Sequence, residues 1–208
     1  MKNFICALWV CLLLFSLCAC GKQENEKDGS PTSSTNQPAV AQSNVGDETL
    51  QYPAKNDEFE YKVYETYIEI TKYIGSESIV TVPTTIENLP VKSISDWSLE
   101  GCQNITSIIL PDGLEEIGYK AFADCSALKE INIPNSVKEI GERAFHGCVS
   151  LVELTIPKSV TKIGEKAVGW SGGIGTYKQT DVIVKVYKAS YAVQWVLDNY
   201  IQYYEVLG

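Results

Sequence analysis

The feature that most constrains this 208-residue chain is a repeat of 23 residues. Proline, glycine, aromatic residues and cysteine each return at that interval through the second half of the chain. The columns are Pro111, Pro134 and Pro157; Gly118, Gly141 and Gly164; Phe122 and Phe145; and Cys102, Cys125 and Cys148. Several independent columns that share one period are typical of repeat architectures, in which each unit is one supersecondary structure.

Each unit predicts a short strand, a turn and a tight bend. Ile131 and Ile133 alternate as in a half-buried strand, which Pro134 then ends. A V-x-x-I-G segment follows the turn, and we interpret its glycine as permitting a backbone bend that a Cβ would hinder. Ala144 and Phe145 come next, at a spacing that faces both inward from a single helical or 3-10 turn.

No single unit can bury its apolar face alone, so the units must stack on one another. We therefore expect a β-dominated repeat solenoid of roughly four coils, joined by short helical or 3-10 turns. The first coil is degenerate, with about five extra residues near Glu87 when its prolines are aligned with the others.

Both ends of the array carry segments that predict caps, because bare strand edges promote aggregation. Residues 59–64 and 67–70 predict an N-terminal β-hairpin cap. Ser190 is a candidate N-cap for a C-terminal cap helix. Apolar residues follow it at helical spacing: Val193, Val196, Leu197 and Tyr200.

The strings INIPNSVKEIG at 131–141 and AFHGC at 144–148 resemble the BspA-type leucine-rich repeats of bacterial surface proteins. The segment KASYA at 188–192 also looks like that family's closing segment. The resemblance covers about residues 59–208. It implies a leucine-rich-repeat fold, with adhesion or protein–protein contact as the function.

Residues 1–19 are typical of an export signal. Lys2 is followed by an apolar run at 4–17, which is shorter than the about 20 residues of a membrane-spanning helix. The run ends in Leu17-Cys18-Ala19-Cys20, which resembles a bacterial lipobox. That resemblance implies a lipoprotein signal peptide at 1–19 and diacylglycerol on Cys20. An ordinary signal peptide or membrane anchor is the alternative.

Residues 20–57 predict a lipid-anchored, disordered tether. They are rich in Ser, Thr, Asn, Gln, Pro and Glu, so they cannot bury enough apolar surface to fold. The leucine-rich-repeat domain with its caps then covers 58–208. The expected location is the extracytoplasmic face of a bacterial cell membrane, and exposure at the cell surface is a further possibility.

Composition and motifs argue against several functions. The 26 Asp and Glu against 17 Lys and Arg give a net charge of −9, which disfavours nucleic acid or anionic lipid as the main partner. The sequence contains no P-loop, dinucleotide-binding, nucleophile-elbow or zinc-protease motif. We expect no catalysis, metal or cofactor; His146, the single histidine, falls at a variable outward position. An envelope hydrolase is a remaining alternative and would need paired carboxylates in a cleft.

The three repeat cysteines predict a buried column of small hydrophobic side chains. We interpret them as unpaired thiols. A disulfide between two of them, in an oxidising compartment, is the alternative.

Recognition would use the outward columns and a Gly-rich loop at 169–181, where the period fails. One column holds Trp97, Lys120, Arg143 and Lys166, and the column beside it holds Asp96, Tyr119, Glu142 and Glu165. Trp97 is predicted to form a cation–π pair with Lys120. Trp170 and Tyr177 are candidate anchors in the loop. The alternatives are a charge-balanced solvated face and a Trp170 that folds down into the cap.

These residues predict a binding module for a protein partner. A cell-wall glycan that stacks its sugars on Trp97, Trp170 or Tyr177 is the second possibility. A purely structural spacer role is the third.

Overall fold

The computed structural model describes residues 50–173, 175–201 and 204–208. Cys20, the signal peptide and most of the predicted tether lie outside these residues. No helix among the described residues is long and apolar enough to cross a membrane.

The described chain starts with three antiparallel strands: β1 (Leu50–Lys55), β2 (Phe59–Tyr64) and β3 (Ile68–Tyr73). The β2–β3 pairing matches the predicted hairpin. Alternating burial along β2 shows why it forms, since one of its faces lies on the core. β1 pairs with β2 although it falls within the predicted tether, so Leu50–Lys55 are part of the sheet and the predicted boundary at residue 58 is wrong.

The insertion in the first coil is a small hairpin. After β4 (Ile79–Thr81), strand β5 (Thr85–Ile86) pairs antiparallel with β6 (Leu89–Ile94). Glu87 and Asn88 form the two-residue turn, and both have positive φ. The Glu87 carboxylate accepts hydrogen bonds from the hydroxyls of Tyr52 and Tyr61. The extra residues therefore tie the first coil to β1 and β2.

The repeats form two parallel ladders. The six repeat strands are β7 (Ser107–Ile109), β8 (Glu116–Ile117), β9 (Glu130–Asn132), β10 (Glu139–Ile140), β11 (Glu153–Ile156) and β12 (Lys162–Ile163). One ladder continues the N-terminal sheet in the order β3-β6-β8-β10-β12, and the other runs β4-β7-β9. Pairing is in register at 23 residues, as between Ile117 and Ile140.

The predicted inward columns are buried. Each column holds apolar residues in every coil, and Phe122 stacks on Phe145 with ring centroids 5.3 Å apart. The buried sets include Ile94, Ile117, Ile140 and Ile163; Leu99, Phe122, Phe145 and Val168; and Ala121, Ala144 and Ala167. Pro111, Pro134 and Pro157 are buried as well.

The glycine column has a different cause from the one predicted. Gly118, Gly141 and Gly164 do not have positive φ. A Cβ on Gly141 would instead lie 2.4 Å from the backbone carbon of Gly118. These glycines are required because neighbouring coils approach so closely that only a hydrogen fits between their backbones.

The turn segments that follow each glycine also stack through backbone hydrogen bonds. The amide of Lys120 donates to the carbonyl of Glu142, 3.0 Å away, and that of Phe122 donates to Ala144, 2.9 Å away. These segments contain turns and no regular helix. Each coil is therefore bonded to the next on a third side.

The cysteine column is buried, and its thiols differ in state. Cys125 and Cys148 are free, and their thiols donate to the carbonyls of Leu99 and Phe122. Burial raises the pKa of Cys125 to about 12. The prediction of an unpaired thiol is wrong for Cys102, which is disulfide-bonded.

The repeat gives way to five further elements. They are β13 (Trp170–Ser171), β14 (Lys178–Gln179), β15 (Ile183–Tyr187), α1 (Tyr191–Asp198) and β16 (Tyr204–Leu207). β13 and β14 form an antiparallel hairpin, and β15 lies parallel between β11 and β16.

Helix α1 lies against the last coil by a face that only partly matches the predicted one. Of the predicted residues, Val196 is buried and Val193 packs against the core, whereas Leu197 and Tyr200 are exposed. Ala192 and Trp195 complete the buried face. Ser190 occupies the N-cap position, but its side chain makes no capping hydrogen bond. The indole of Trp195 donates to the carbonyl of Gly164, 3.2 Å away.

Candidate functional site

The outward column predicted from the repeat has an unusual backbone. Trp97, Lys120, Arg143 and Lys166 all have left-handed φ, between 52° and 55°. Bulky residues rarely adopt this conformation, which costs energy unless the surroundings enforce it. In the first three the stacked backbone enforces it, because the amides of Trp97, Lys120 and Arg143 each donate to a carbonyl of the next coil.

Tyr119 connects the first three residues of that column. The Trp97 ring meets the Tyr119 ring edge-on, with centroids 5.2 Å apart. Lys120 lies over the Tyr119 ring at 5.8 Å rather than over Trp97, so the predicted Trp97–Lys120 pair is wrong. The Tyr119 hydroxyl accepts a hydrogen bond from the Arg143 guanidinium, 3.2 Å away, and this bond raises the pKa of Arg143.

Tyr177 continues the same arrangement at the other end. Its ring lies 5.6 Å from the guanidinium carbon of Arg143 and 5.0 Å from the ammonium of Lys166. Lys166 also lies 5.9 Å from the ring of Trp170. The loop at 169–181 thus returns an aromatic residue onto the cations of the repeat.

All six predicted binding residues therefore lie on one face, joined by Tyr119. We call this surface the aromatic–cation stripe: Trp97, Tyr119, Lys120, Arg143, Lys166, Trp170 and Tyr177. Tyr119 was placed in the neighbouring column by its spacing, but no pattern in one repeat indicated that it would connect Trp97 to Arg143.

The cations of the stripe are locally neutralised. Lys120 pairs with Glu100 at 3.0 Å, which raises the pKa of Lys120. Arg143 lies 3.4 Å from Glu142, and Lys166 pairs with Glu165. The side chains of Lys120, Arg143 and Lys166 are only 28%, 25% and 20% exposed. Their stems therefore pack along the surface, and the stripe is not a free basic patch.

The two tryptophans of the stripe differ in accessibility. Trp97 is 53% exposed and is the most exposed aromatic side chain of the stripe. Trp170 is half-buried and packs against the core, which matches the alternative in which it folds down into the cap.

His146 lies behind the stripe and not at an outward position, so that prediction is wrong. Its side chain is 8% exposed, and its ring meets Tyr177 edge-on at 5.8 Å. Burial lowers the pKa of His146, and nearby Arg143 lowers it further. The Asp124 carboxylate, 4.0 Å from Nδ1, acts in the opposite direction.

A separate trough of about 520 Å³ crosses strands β3, β6 and β8. Its walls are mainly charged, and Lys92 and Lys138 both contact Glu115, at 3.3 and 2.6 Å. Burial and neighbouring Glu139 raise the pKa of Glu116. Across the described ranges, no three side chains of His, Cys, Asp or Glu come together as a metal site.

Comparisons with known proteins agree with this architecture. A family model described as "BspA type Leucine rich repeat region (6 copies)" matches residues 45–172. No curated protein sequence matches the chain.

The chain is also similar to solved structures of leucine-rich repeat proteins. A leucine-rich repeat protein from T. pallidum is 25% identical, with a TM-score of 0.52 over 66% of this chain and 72% of that one. A leucine-rich repeat protein from Bacteroides capillosus is 28% identical, with a TM-score of 0.53 over 64% of this chain and 97% of that one. A leucine-rich repeat protein from Bacteroides ovatus is 28% identical, with a TM-score of 0.54 over 66% of this chain but only 35% of that one. The chain thus has a β-rich leucine-rich-repeat fold with one short helix among its described residues.

Proposed function

Because the chain belongs to the BspA-type leucine-rich repeat family, we propose that it is a non-catalytic protein-interaction module whose binding face is the aromatic–cation stripe. The observation that carries this proposal is Trp97, a tryptophan that is 53% exposed at the end of a surface whose other side chains contact one another. Rigid aromatic and arginine side chains dominate the binding energy of protein interfaces.

The scaffold in this proposal is a short solenoid of four coils. The β1–β2–β3 sheet would cap its first coil, and α1 would cap its last. Supporting this, Trp195 donates to the carbonyl of Gly164 beside the last ladder strand β12. A scaffold whose edges are covered presents its side columns, rather than its ends, to a partner.

The chemistry of the stripe favours a protein over a strongly charged polymer. Each cation already has a carboxylate or an aromatic partner, so little net charge is available to attract an acidic ligand. The aromatic rings offer large contact area, with few side-chain rotations left to restrict.

We also propose that the module is a lipoprotein, anchored through Cys20 on the extracytoplasmic face of a bacterial membrane, where it acts in surface interaction or adhesion. The Leu17–Cys20 motif supports this placement. Radioactive palmitate should label the full chain but not a Cys20→Ala variant. Equal labelling of both would refute the anchor while leaving the binding face untouched.

A cell-wall glycan is the second candidate ligand, and the exposed indole of Trp97 favours it. Sugars stack their C–H faces on such rings, and Asp96 beside Trp97 could accept hydroxyl hydrogens. Purified wall glycan and secreted protein, each presented to the full chain, separate the two ligands. If the chain retains the glycan and no secreted protein, the ligand is a glycan and the proposed protein partner is wrong.

The direct test is site-specific photocrosslinking in the native cells. A photoreactive phenylalanine analogue would replace Trp97 in one variant and Lys129, an exposed residue outside the stripe, in a matched control. We expect a discrete crosslinked protein from position 97 and none from position 129. The same products from both positions, or none from either, would refute the stripe as the binding face.

A further inference from the structure

A group of contacts that hold the hairpin β13–β14 against the repeat centres on Tyr177 and His146. The amide of Gly147 donates to the carbonyl of Trp170, 2.8 Å away. The Tyr177 ring lies between Arg143 and Lys166 and meets His146 edge-on. Outside this group, the Trp170 ring packs against the core, and the side-chain amide of Gln179 donates to the carbonyl of Tyr200.

Several buried polar atoms at this junction have no hydrogen-bond partner within the described protein. They are Nε of Arg143, Nε2 of His146, Nε1 of Trp170 and Oγ of Ser171. A buried polar atom without a partner costs free energy that water repays when the atom is exposed. The docked hairpin is therefore less stable than its apolar contacts alone would make it.

His146 is the group at this junction that changes charge near neutral pH. The imidazole is faced by Arg143 on its own coil, by Lys120 and Asp124 of the preceding coil, and by the Tyr177 ring of the hairpin loop. A protonated imidazole would be a third cation beside the Tyr177 ring, which already contacts Arg143 and Lys166. Asp124, 60% exposed and 4.0 Å away, and a hydrogen bond to the Gly172 backbone would stabilise that charge only in part, because the pKa of His146 is lowered on balance.

We propose that His146 is a pH-sensitive latch: when it is protonated, Tyr177 leaves its site and the β13–β14 hairpin opens. The burial that disfavours the imidazolium exists only while the hairpin is docked. Because its pKa is lowered there, the proton binds preferentially to the open form, and acidification shifts the equilibrium towards opening. The shift begins as the pH falls through about 6.5, the ordinary value for histidine.

Opening would remove Tyr177 and Trp170 from the aromatic–cation stripe and leave Trp97 and Tyr119 in place. That this regulates partner binding rests on the proposed function. The conformational change does not, because it involves only residues of this chain.

The test is amide hydrogen exchange of the full chain at pH 7.5 and 5.0, without a partner and corrected for the intrinsic pH dependence of exchange. The reporting amide is Gly147, which bonds to the hairpin, and the control amides are Gly141 and Gly164, which bond between coils. We expect exchange at Gly147 to rise roughly fivefold or more at pH 5.0, with the control amides unchanged.

Three variants separate a titrating latch from a merely structural histidine. His146→Gln, which cannot gain a charge, should lose the pH dependence. Asp124→Asn, which removes the carboxylate that stabilises the docked imidazolium and suits the left-handed backbone at that position, should increase opening at pH 5.0. Tyr177→Leu should leave the hairpin open at both pH values.

An unchanged exchange rate in the natural chain at pH 5.0 would overturn the latch, as would the same pH dependence in His146→Gln. If His146→Gln fails to fold, opening at pH 5.0 that does not increase in Asp124→Asn overturns it instead. None of these results depends on a partner, so they leave the proposed binding face to its own test.

Discussion

The glycine column makes a quantitative prediction for Gly141→Ala. The new Cβ would lie 2.4 Å from the backbone carbon of Gly118, whereas ordinary contact begins at 3.4 Å. The two coils would have to separate by about 1 Å to relieve the overlap. The amide of Gly141 now lies 2.7 Å from the carbonyl of Ile117, and that of Lys138, between the same two coils, lies 2.8 Å from Glu115. Both bonds would stretch beyond hydrogen-bonding distance.

The expected loss follows from these two effects. Two weakened backbone hydrogen bonds cost about 2 kcal/mol, and the residual overpacking costs about 1–3 kcal/mol. We therefore expect Gly141→Ala to lower the free energy of unfolding by about 3–5 kcal/mol. Urea unfolding of the full chain, followed by far-ultraviolet circular dichroism, measures this change.

Gly101→Ala is the matched control. Gly101 has a φ of +74° and no atom within 4 Å of its would-be Cβ. Its substitution should cost only the left-handed backbone penalty, about 1–2 kcal/mol. If Gly141→Ala is as stable as Gly101→Ala, then close approach of the coils does not explain the glycine column.

Three further predictions concern the last coil, the thiols and the charged trough. Trp195→Phe should cost about 2 kcal/mol in urea unfolding, since it removes the bond to Gly164 and part of a buried ring; the exposed-site variant Trp97→Phe should cost almost nothing. Cys125 and Cys148 should react with a thiol reagent at pH 8 at least about 100-fold faster in urea than in the folded chain, because burial raises the pKa of both thiols. Peptide mass spectrometry resolves the two rates, and comparable rates in urea and in the folded chain would contradict the burial of the thiols. Lys138 lowers the pKa of Glu115. The ion pair therefore stabilises the folded chain above about pH 4.5, and this stabilisation is lost as the pH falls through the lower pKa of the folded state. Glu115→Gln should reduce the loss of stability at acidic pH, and an unchanged loss would show that the ion pair contributes nothing.

The repeat made much of the fold predictable, because its period is a property of spacing alone. Columns such as Ile94–Ile117–Ile140 had to face a common interior for any coil to bury them, and they do. The role of the glycines was less accessible. A bend and a close approach both require glycine, and only the distance between coils decides between them.

The candidate site was predictable in its membership but not in its contacts. Trp97, Lys120, Arg143 and Lys166 share a column because they share the period. Tyr177 lies in the loop where the period fails, so no spacing could place its ring over Arg143. His146 shares its repeat position with Ala123, and the hairpin that buries it belongs to the same aperiodic segment.

We propose that the aromatic–cation stripe, and not another exposed face, contacts the partner. Hydroxyl-radical footprinting of the full chain, in its native cells and after purification, tests this claim without knowledge of the partner. Trp97 is 53% exposed, and Tyr52, Tyr191 and Tyr204, all outside the stripe, are 43%, 47% and 41% exposed. We expect oxidation of Trp97 to fall several-fold in cells relative to the purified chain, while the three tyrosines react equally in both. Protection of the tyrosines with Trp97 unprotected would contradict the account.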